Sequence, residues 1–185
     1  MKTHITLVVD RSGSMWSIVD DANGSIQSFL QEQKELPEDG STIAIYQFNA
    51  SFQEAVPPVS LSENINYTID PSGGTALLDA VGKAMALTVE FVEKEQPEKV
   101  IFVIVTDGEE NSSSEYKLAD IRKAITTQIE KGWEVMYLSS DINAFKDAAK
   151  LGVDFGNTHV YRASGEGYKV GTKVMSASLS SSRTS

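Results

Sequence analysis

Three side-chain oxygens recur at every second position in the loop that follows the first apolar run of the chain. Asp10 contributes a carboxylate, and Ser12 and Ser14 contribute hydroxyls. Alternate positions of an extended segment share one face, and Gly13 allows the loop to curl, so the three oxygens can converge on one point. Hard oxygen ligands without histidine or cysteine suit magnesium, manganese or calcium better than zinc. The loop is therefore a candidate divalent-cation site.

Two later stretches offer oxygen ligands of the same kind. Thr75 presents a hydroxyl after the glycine pair Gly73 and Gly74, at the predicted start of a helix. Asp107 follows the apolar run of residues 100–106, which is predicted to be a central strand. Ligands of open α/β sheets sit beyond the carboxyl ends of the strands, where the strand order reverses. The order of the three stretches therefore predicts that they meet in one crevice.

Together these pieces resemble the metal-ion-dependent adhesion site (MIDAS) of von Willebrand factor type A domains. The resemblance covers Lys2 to Tyr161 and matches the motif at Asp10, Ser12, Ser14, Thr75 and Asp107. It implies that Ser12 and Ser14 bind a divalent cation, most simply Mg²⁺, directly through their hydroxyls. Thr75 would bind directly or through water, and the two aspartates would bind directly or through water while holding the hydroxyls in place. An open coordination position would then accept an Asp or Glu of a partner protein.

The apolar pattern predicts a Rossmann-like α/β fold. Strands alternating with helices indicate a doubly wound, mostly parallel six-stranded sheet with helices on both faces. The predicted strands are residues 3–9, 42–48, 52–56, 100–106, 135–138 and 159–161. The short link at residues 49–51 makes the third strand antiparallel to the second, and Pro57 and Pro58 place it at an edge. Residues 137–144 also resemble the corresponding segment of stand-alone bacterial and phage members of the family.

Helices are predicted where apolar residues recur at helical spacing. They run from Ile18 to Pro37, from Leu77 to Pro97, from a capping box at Ser112-x-x-Glu115 to Gly132, and over residues 143–151. Family resemblance adds a last helix at residues 165–180, although three glycines in that stretch weaken it. A single domain is thus expected over residues 1–180, with a frayed tail at residues 181–185.

Composition limits the classes of partner and the compartment. A net charge of −10 argues against nucleic-acid and anionic-membrane partners, since both require a basic surface. No apolar run approaches the roughly 20 residues of a membrane-spanning helix, and the run that begins at Met1 is too short for a secretory signal. Because the chain has no cysteine, nothing points to an oxidising compartment. A cytoplasmic location is expected, and the oligomeric state is left open.

The residues beside the candidate ligands are interpreted as packing or solvated residues. Met15 and Trp16 are predicted to pack over the start of the first helix. Glu109 and Glu110 are interpreted as solvated loop residues. The alternative is that they add negative charge behind the ligands of the cation. His4 is interpreted as a strand residue and not as a ligand.

Two other functions stay open beside the metal-dependent binding module. Metal-dependent phosphatases of Rossmann-like fold also carry an aspartate after the first strand, but their second aspartate is replaced here by Ser12, with no lysine or histidine beside it. A serine nucleophile would need a paired base, and neither histidine has a suitable sequence context. The chain is therefore expected not to be an enzyme. The remaining alternative is a structural subunit whose metal site is vestigial.

Overall fold

The described elements alternate along the chain between strands and helices. The computed structural model describes residues 1–106, 110–139, 143–160, 176–177, 180–181 and 183–184. Its strands are β1 Thr3–Asp10, β2 Thr42–Phe48, β3 Phe52–Ser60, β4 Lys99–Thr106, β5 Glu134–Ser139 and β6 Thr158–Val160. Its α-helices are α1 Val19–Glu35, α2 Leu77–Glu95, α3 Leu118–Glu130 and α4 Ala144–Leu151, with 3₁₀ turns at Gly13–Ile18 and Phe155–Asn157.

The strands form one six-stranded sheet in the order β3-β2-β1-β4-β5-β6. Strand β1 pairs in parallel with both β2 and β4, and β3 is the antiparallel edge strand. The direction of winding reverses between β1 and β4, so the carboxyl ends of these two neighbours border a crevice. The predicted Rossmann-like, mostly parallel fold is confirmed.

Apolar layers cover both faces of the sheet. On one face, Ile26 and Phe29 of α1 pack against the alternate strand residues Leu7 and Val103. On the other face, α2 and α3 cover the remaining alternate positions, such as Ile104. All eight residues of β1 are buried, as expected for a central strand with a helix layer on each side.

Two element boundaries differ from the sequence prediction by more than two residues. Strand β3 continues through Pro57 and Pro58, because an edge strand tolerates missing donors and the β2–β3 register shifts around Ile45. Helix α3 begins at Leu118, so the predicted capping box at Ser112 is wrong. The amide groups that would have begun an earlier helix turn are bound by a carboxylate of α2, as described below.

Several predictions fall outside the described residues: the position of Asp107, the interpretation of Glu109, the end of the sixth strand at residue 161, and most of the last helix. Residues 176–177, 180–181 and 183–184 have helical backbone. Arg183 is buried and donates to Asp39 Oδ1 at 3.1 Å, which differs from the frayed tail expected at this position. Among the described helices, none has the length and apolarity needed to cross a membrane.

Candidate metal centre

Asp10 is the last residue of β1, and its carboxylate is almost completely buried, with 1% of the residue exposed. The Ser12 amide donates to Asp10 Oδ1 at 2.7 Å, and the Thr106 hydroxyl donates to Asp10 Oδ2 at 2.9 Å. The carboxylate is therefore fixed between the ends of β1 and β4. Each of its oxygens keeps a second lone pair for a further ligand.

The two serine hydroxyls lie side by side after β1. Ser12 is buried and Ser14 is exposed, and their Oγ atoms are 3.1 Å apart. A 3₁₀ turn begins here, in which the Met15 amide donates to the Ser12 carbonyl at 3.0 Å. Burial of the Met15 side chain, as predicted, holds the turn against the core. The two hydroxyls thus lie within hydrogen-bonding distance of each other, on one buried and one exposed residue.

The glycine-rich loop docks directly on the loop after β1. The Gly13 amide donates to the Gly73 carbonyl at 3.1 Å, and the Ser72 amide donates to the Arg11 carbonyl at 2.8 Å. Gly73 has a φ of +76°, a left-handed conformation that favours glycine. These backbone contacts bring the segment that carries Thr75 beside the segment that carries the two serines.

Asn111 clamps the backbone of Thr75 from the loop that follows β4. The Thr75 amide donates to Asn111 Oδ1 at 2.9 Å, and the Thr75 carbonyl accepts the amides of Asn111 at 2.9 Å and Ser112 at 3.1 Å. A Cβ on Gly74 would lie 2.6 Å from Ser112 Oγ and 3.1 Å from Asn111 Oδ1, so a side chain at this position would displace those groups. Thr75, which is 5% exposed, is consequently held by the same loop to which Asp107 belongs.

Asp79, in the first turn of α2, anchors the rest of that loop. Its Oδ1 accepts the amides of Glu115 and Tyr116, each at 2.9 Å, and its Oδ2 accepts the amide of Ser114 at 2.9 Å. Burial alone would raise the pKa of Asp79, but the three amides outweigh it and hold the pKa below its ordinary value. These amides are the ones that the sequence prediction assigned to the start of a helix.

Glu110 also binds backbone amides, so its interpretation as a solvated residue is wrong. Its Oε1 accepts the amides of Leu78 at 3.4 Å and Ser113 at 3.2 Å. The first amides of a helix lack partners within that helix, and here Glu110 and the Ser113 hydroxyl supply partners for α2. Sequence reasoning missed the roles of Asn111 and Asp79, because an acidic residue in a first helical turn and an asparagine in a loop are ordinary features.

The oxygen set around Asp10 fits a hard divalent cation. No described cationic side chain forms an ion pair with this buried carboxylate, although a buried charge is costly without a counter-charge. The nearest basic residue in sequence, Arg11, donates instead to the Asp70 carbonyl at 2.9 Å. Within the described ranges, no group of three or more His, Cys, Asp or Glu side chains offers an alternative metal site. Among the described residues, the hydroxyls of Ser12, Ser14 and Thr75 are therefore the candidate ligands beside Asp10.

The structure therefore brings Asp10, Ser12 and Ser14 together through direct contacts and places Thr75 beside them through backbone contacts. Asp107 lies outside the described residues. The prediction that Trp16 packs over the helix start is wrong, because 61% of this residue is exposed. Its neighbour Met15 occupies the buried position of the turn instead.

Similar folds occur in adhesion and matrix proteins. The PilB minor pilin of Streptococcus sanguinis is 12% identical, with a TM-score of 0.70 over 97% of this chain and 61% of the pilin chain. The von Willebrand factor domain of the Porphyromonas gingivalis pilus tip protein Mfa5 is 8% identical, with a TM-score of 0.67 over 97% of this chain and 95% of that chain. Proximal thread matrix protein 1 of the mussel byssus, solved with a zinc-occupied MIDAS motif, is 14% identical, with a TM-score of 0.67 over 95% of this chain and 46% of that chain.

These likenesses establish the fold, and the family follows from the sequence. This chain spans from 45% to 61% of the length of the first pilin and matrix-protein structures that it matches. A search among curated proteins returns no match to the sequence. The sequence model of the von Willebrand factor type A domain, however, matches residues 4–167, which is most of the chain. The protein therefore belongs to the von Willebrand factor type A domain family.

Proposed function

We propose that this protein is a divalent-cation-dependent protein-binding module. In the proposal, Asp10, Ser12, Ser14, Thr75 and Asp107 hold one cation, which in turn coordinates an Asp or Glu of a partner protein. Domains of this family commonly bind protein partners through a metal site, and the structural neighbours include pilins and adhesins. Cation binding by a relative is evident in the zinc-occupied mussel protein.

The observation that carries the proposal is the environment of Asp10. A carboxylate with 1% exposure lies beside two adjacent serine oxygens, and no described side chain neutralises it. Its two hydrogen bonds fix both oxygens in place and still leave acceptor capacity on each. A bound divalent cation would supply the missing positive charge.

The chemistry of the ligands leaves the cation attractive to an incoming carboxylate. The hydroxyls of Ser12, Ser14 and Thr75 are neutral, so only the two aspartates reduce the charge of the ion. Exposure of Ser14 provides a side from which a partner can approach. Since any carboxylate can meet the ion, the surface around the site must supply most of the specificity.

We propose Mg²⁺ as the resident ion, because an all-oxygen set that includes carboxylates and water positions suits it. Mn²⁺ and Ca²⁺ share this preference for oxygen ligands. Zinc belongs in the comparison, since it occupies the corresponding motif in the mussel protein. The relative stabilisation by the four ions tests this choice.

Thermal unfolding with and without metal tests the site itself. A ligand that binds only the folded state at a hundredfold excess over its Kd stabilises it by about 2.7 kcal/mol. Mg²⁺ should therefore raise the Tm of the native protein, and EDTA should reverse the increase. Ser14→Ala should abolish the response without unfolding the domain, because Ser14 is exposed.

Ser17→Ala is the matched control, since Ser17 is an exposed serine of the same 3₁₀ turn and is not a proposed ligand. It should retain the full metal response. An equal response in Ser14→Ala and the native protein would place the cation elsewhere. No response in any variant would favour a structural subunit with a vestigial site.

Adhesion and structural proteins among the neighbours support a binding role over an enzymatic one. We also propose that the protein acts in the cytoplasm, on the basis of its cysteine-free composition. Capture of the same partner in Mg²⁺ and its release by EDTA or by Ser14→Ala would support metal-dependent binding. Cell fractionation tests the location separately.

A further inference from the structure

An exposed tryptophan lies in the loop that carries two of the proposed ligands. Trp16 is 61% exposed, the largest value among the exposed large apolar residues of the described chain. Tryptophan is usually highly buried, and its neighbour Met15 is 1% exposed. The packing of the domain therefore leaves this indole in solvent, in the loop that carries the proposed ligands.

The backbone of the turn fixes this exposure. The Met15 amide donates to the Ser12 carbonyl at 3.0 Å, and the Gly13 amide donates to the Gly73 carbonyl at 3.1 Å. Met15 packs in the core layer on the α1 side of the sheet, and Ile18 closes the turn against the same layer. Trp16 lies between these two anchors, so its indole is presented by a turn with fixed ends.

Trp16 lies close to Ser14 along the turn, and the two side chains leave the turn in different directions because a 3₁₀ turn has three residues. Ser14 and Trp16 are two residues apart in a 3₁₀ turn, which rises by about 2 Å per residue. An extended partner segment advances by at most about 3.6 Å per residue. A partner residue one to three positions from the metal-bound carboxylate can therefore lie on the indole.

The chemistry of the indole defines the partner group. Tryptophan offers a large, rigid apolar surface and is enriched among the residues that dominate binding energy at interfaces. On the assumption that the proposed metal-dependent function holds, we infer that Trp16 is the apolar anchor of the interface. The partner segment then combines an Asp or Glu with a bulky aliphatic or aromatic side chain within three residues of it.

A cavity on the other side of the site is the rival location for such a side chain. It has a volume of about 430 Å³ and is lined in part by Leu77, Leu78 and Leu118. Leu118 is 40% exposed, but it lies at the start of α3, whereas Trp16 shares its loop with Ser12 and Ser14. The cavity is lined by the carboxylates of Glu110 and Asp147 and also by Lys146 and Lys150, so its charge does not decide between the two locations.

A peptide selection separates these possibilities. A library of random linear peptides is bound to the immobilised native protein in Mg²⁺, eluted with EDTA and sequenced, in parallel with Trp16→Ala, Leu118→Ala and Ile129→Ala. Ile129 is the matched control, because it is 37% exposed and lies at the far end of α3. Thermal unfolding first establishes that all variants retain their fold and their response to Mg²⁺.

The native protein, Leu118→Ala and Ile129→Ala should enrich peptides with an acidic residue and a bulky apolar residue within three positions. Trp16→Ala should keep the acidic preference and lose the apolar one. It should bind the best native peptide at least about tenfold more weakly, as expected for a residue that dominates an interface. That peptide should also change the indole emission of the native protein, since the other tryptophan, Trp133, is only 8% exposed.

An apolar preference that survives in Trp16→Ala overturns the inference. Loss of that preference in Leu118→Ala alone also overturns it and assigns the contact to the cavity. Enrichment of acidic peptides that lack a bulky apolar residue within three positions also overturns the inference about Trp16. It leaves the proposed function intact. Failure to enrich any peptide that EDTA releases contradicts the proposed function, on which the inference rests.

Discussion

The Asp10 carboxylate both accepts hydrogen bonds at the ends of two strands and carries a buried negative charge. A buried carboxylate that only caps backbone groups would be satisfied by its hydrogen bonds to the Ser12 amide and the Thr106 hydroxyl. Those bonds orient the oxygens, but they do not cancel the charge, and a full negative charge in a buried position is costly. At the proposed site, the same contacts that cap the strand ends would also orient the carboxylate toward a cation.

Asn111 is expected to act as a positioning residue for Thr75. Asn111→Ala removes the oxygen that accepts the Thr75 amide at 2.9 Å, and an unmade bond of this kind costs about 1–3 kcal/mol. The Thr75 hydroxyl should then be less well held, so the increase in Tm caused by Mg²⁺ should shrink as well. Asn66→Ala, at an exposed asparagine away from the site, is the control and should leave both quantities unchanged. A full metal response in Asn111→Ala would show that the clamp is not needed.

At the scale of the elements, α2 begins within a network supplied by a distant loop. Its first amides are bound by Glu110 and the Ser113 hydroxyl, and its Asp79 binds three amides of the same loop in return. The start of α2 and the loop after β4 are therefore one structural unit. Because Thr75 directly precedes this unit, the position of Thr75 depends on it.

Asp79→Asn should loosen that unit without unfolding the domain. The asparagine oxygen can accept the Glu115 and Tyr116 amides, but less strongly than a carboxylate does, and the asparagine NH2 group cannot accept the Ser114 amide at all. These three amides should therefore exchange hydrogen faster. A loss of about 1–3 kcal/mol in their opening free energy is expected. Asp120→Asn is the control, because the Asp120 carboxylate accepts only a local amide at the start of α3. Unchanged exchange at residues 114–116 would mean that other contacts hold the loop.

The same contacts explain what the sequence could and could not predict. The strands and the buried stripe of α1 follow from local apolar spacing, so Ile26 and Phe29 lie where the pattern placed them. The start of α3 does not follow from local spacing. Asp79, which lies 35 to 37 residues earlier in the chain, binds the amides that an earlier helical turn would need. Likewise, the spacing of Asp10, Ser12 and Ser14 predicted that their oxygens would converge. The exposure of Trp16 could not be predicted in this way, because it depends on Met15 occupying the buried position of the turn.

At the scale of the whole molecule, the two ends of the sheet have different roles. The carboxyl ends of β1 and β4 border the candidate metal centre, whereas the opposite end contains buried polar groups that serve the fold. There, Arg183 binds Asp39 and the Gln33 carbonyl, which ties the chain terminus to the loop before β2. His4, at the same end, lies in a buried network with Thr6 and Thr42.

His4 should make the stability of the domain sensitive to acid. Its ring nitrogens lie 2.8 Å from Thr42 Oγ1 and 3.2 Å from Thr6 Oγ1, and the ring packs on Phe91 at 4.4 Å. None of these neighbours carries a charge, and burial lowers the pKa of His4 from 6.5 to about 4. Between these values the unfolded chain binds a proton that the folded protein excludes, so protonation favours unfolding.

The free energy of unfolding should therefore fall as the pH decreases from 6.5 towards 4, at up to about 1.4 kcal/mol per pH unit from this group. The total effect is about 3 kcal/mol, and it should level off below the folded pKa because both states are then protonated. His4→Gln should lose this component, whereas His159→Gln, at the other histidine, should retain it. Denaturant unfolding in EDTA across this pH range measures the free energy of unfolding of each variant and of the native protein. The titration of the carboxylates is common to both and cancels in the difference. If His4→Gln loses as much stability in acid as the native protein does, the sensitivity arises from the carboxylates and not from the buried imidazole.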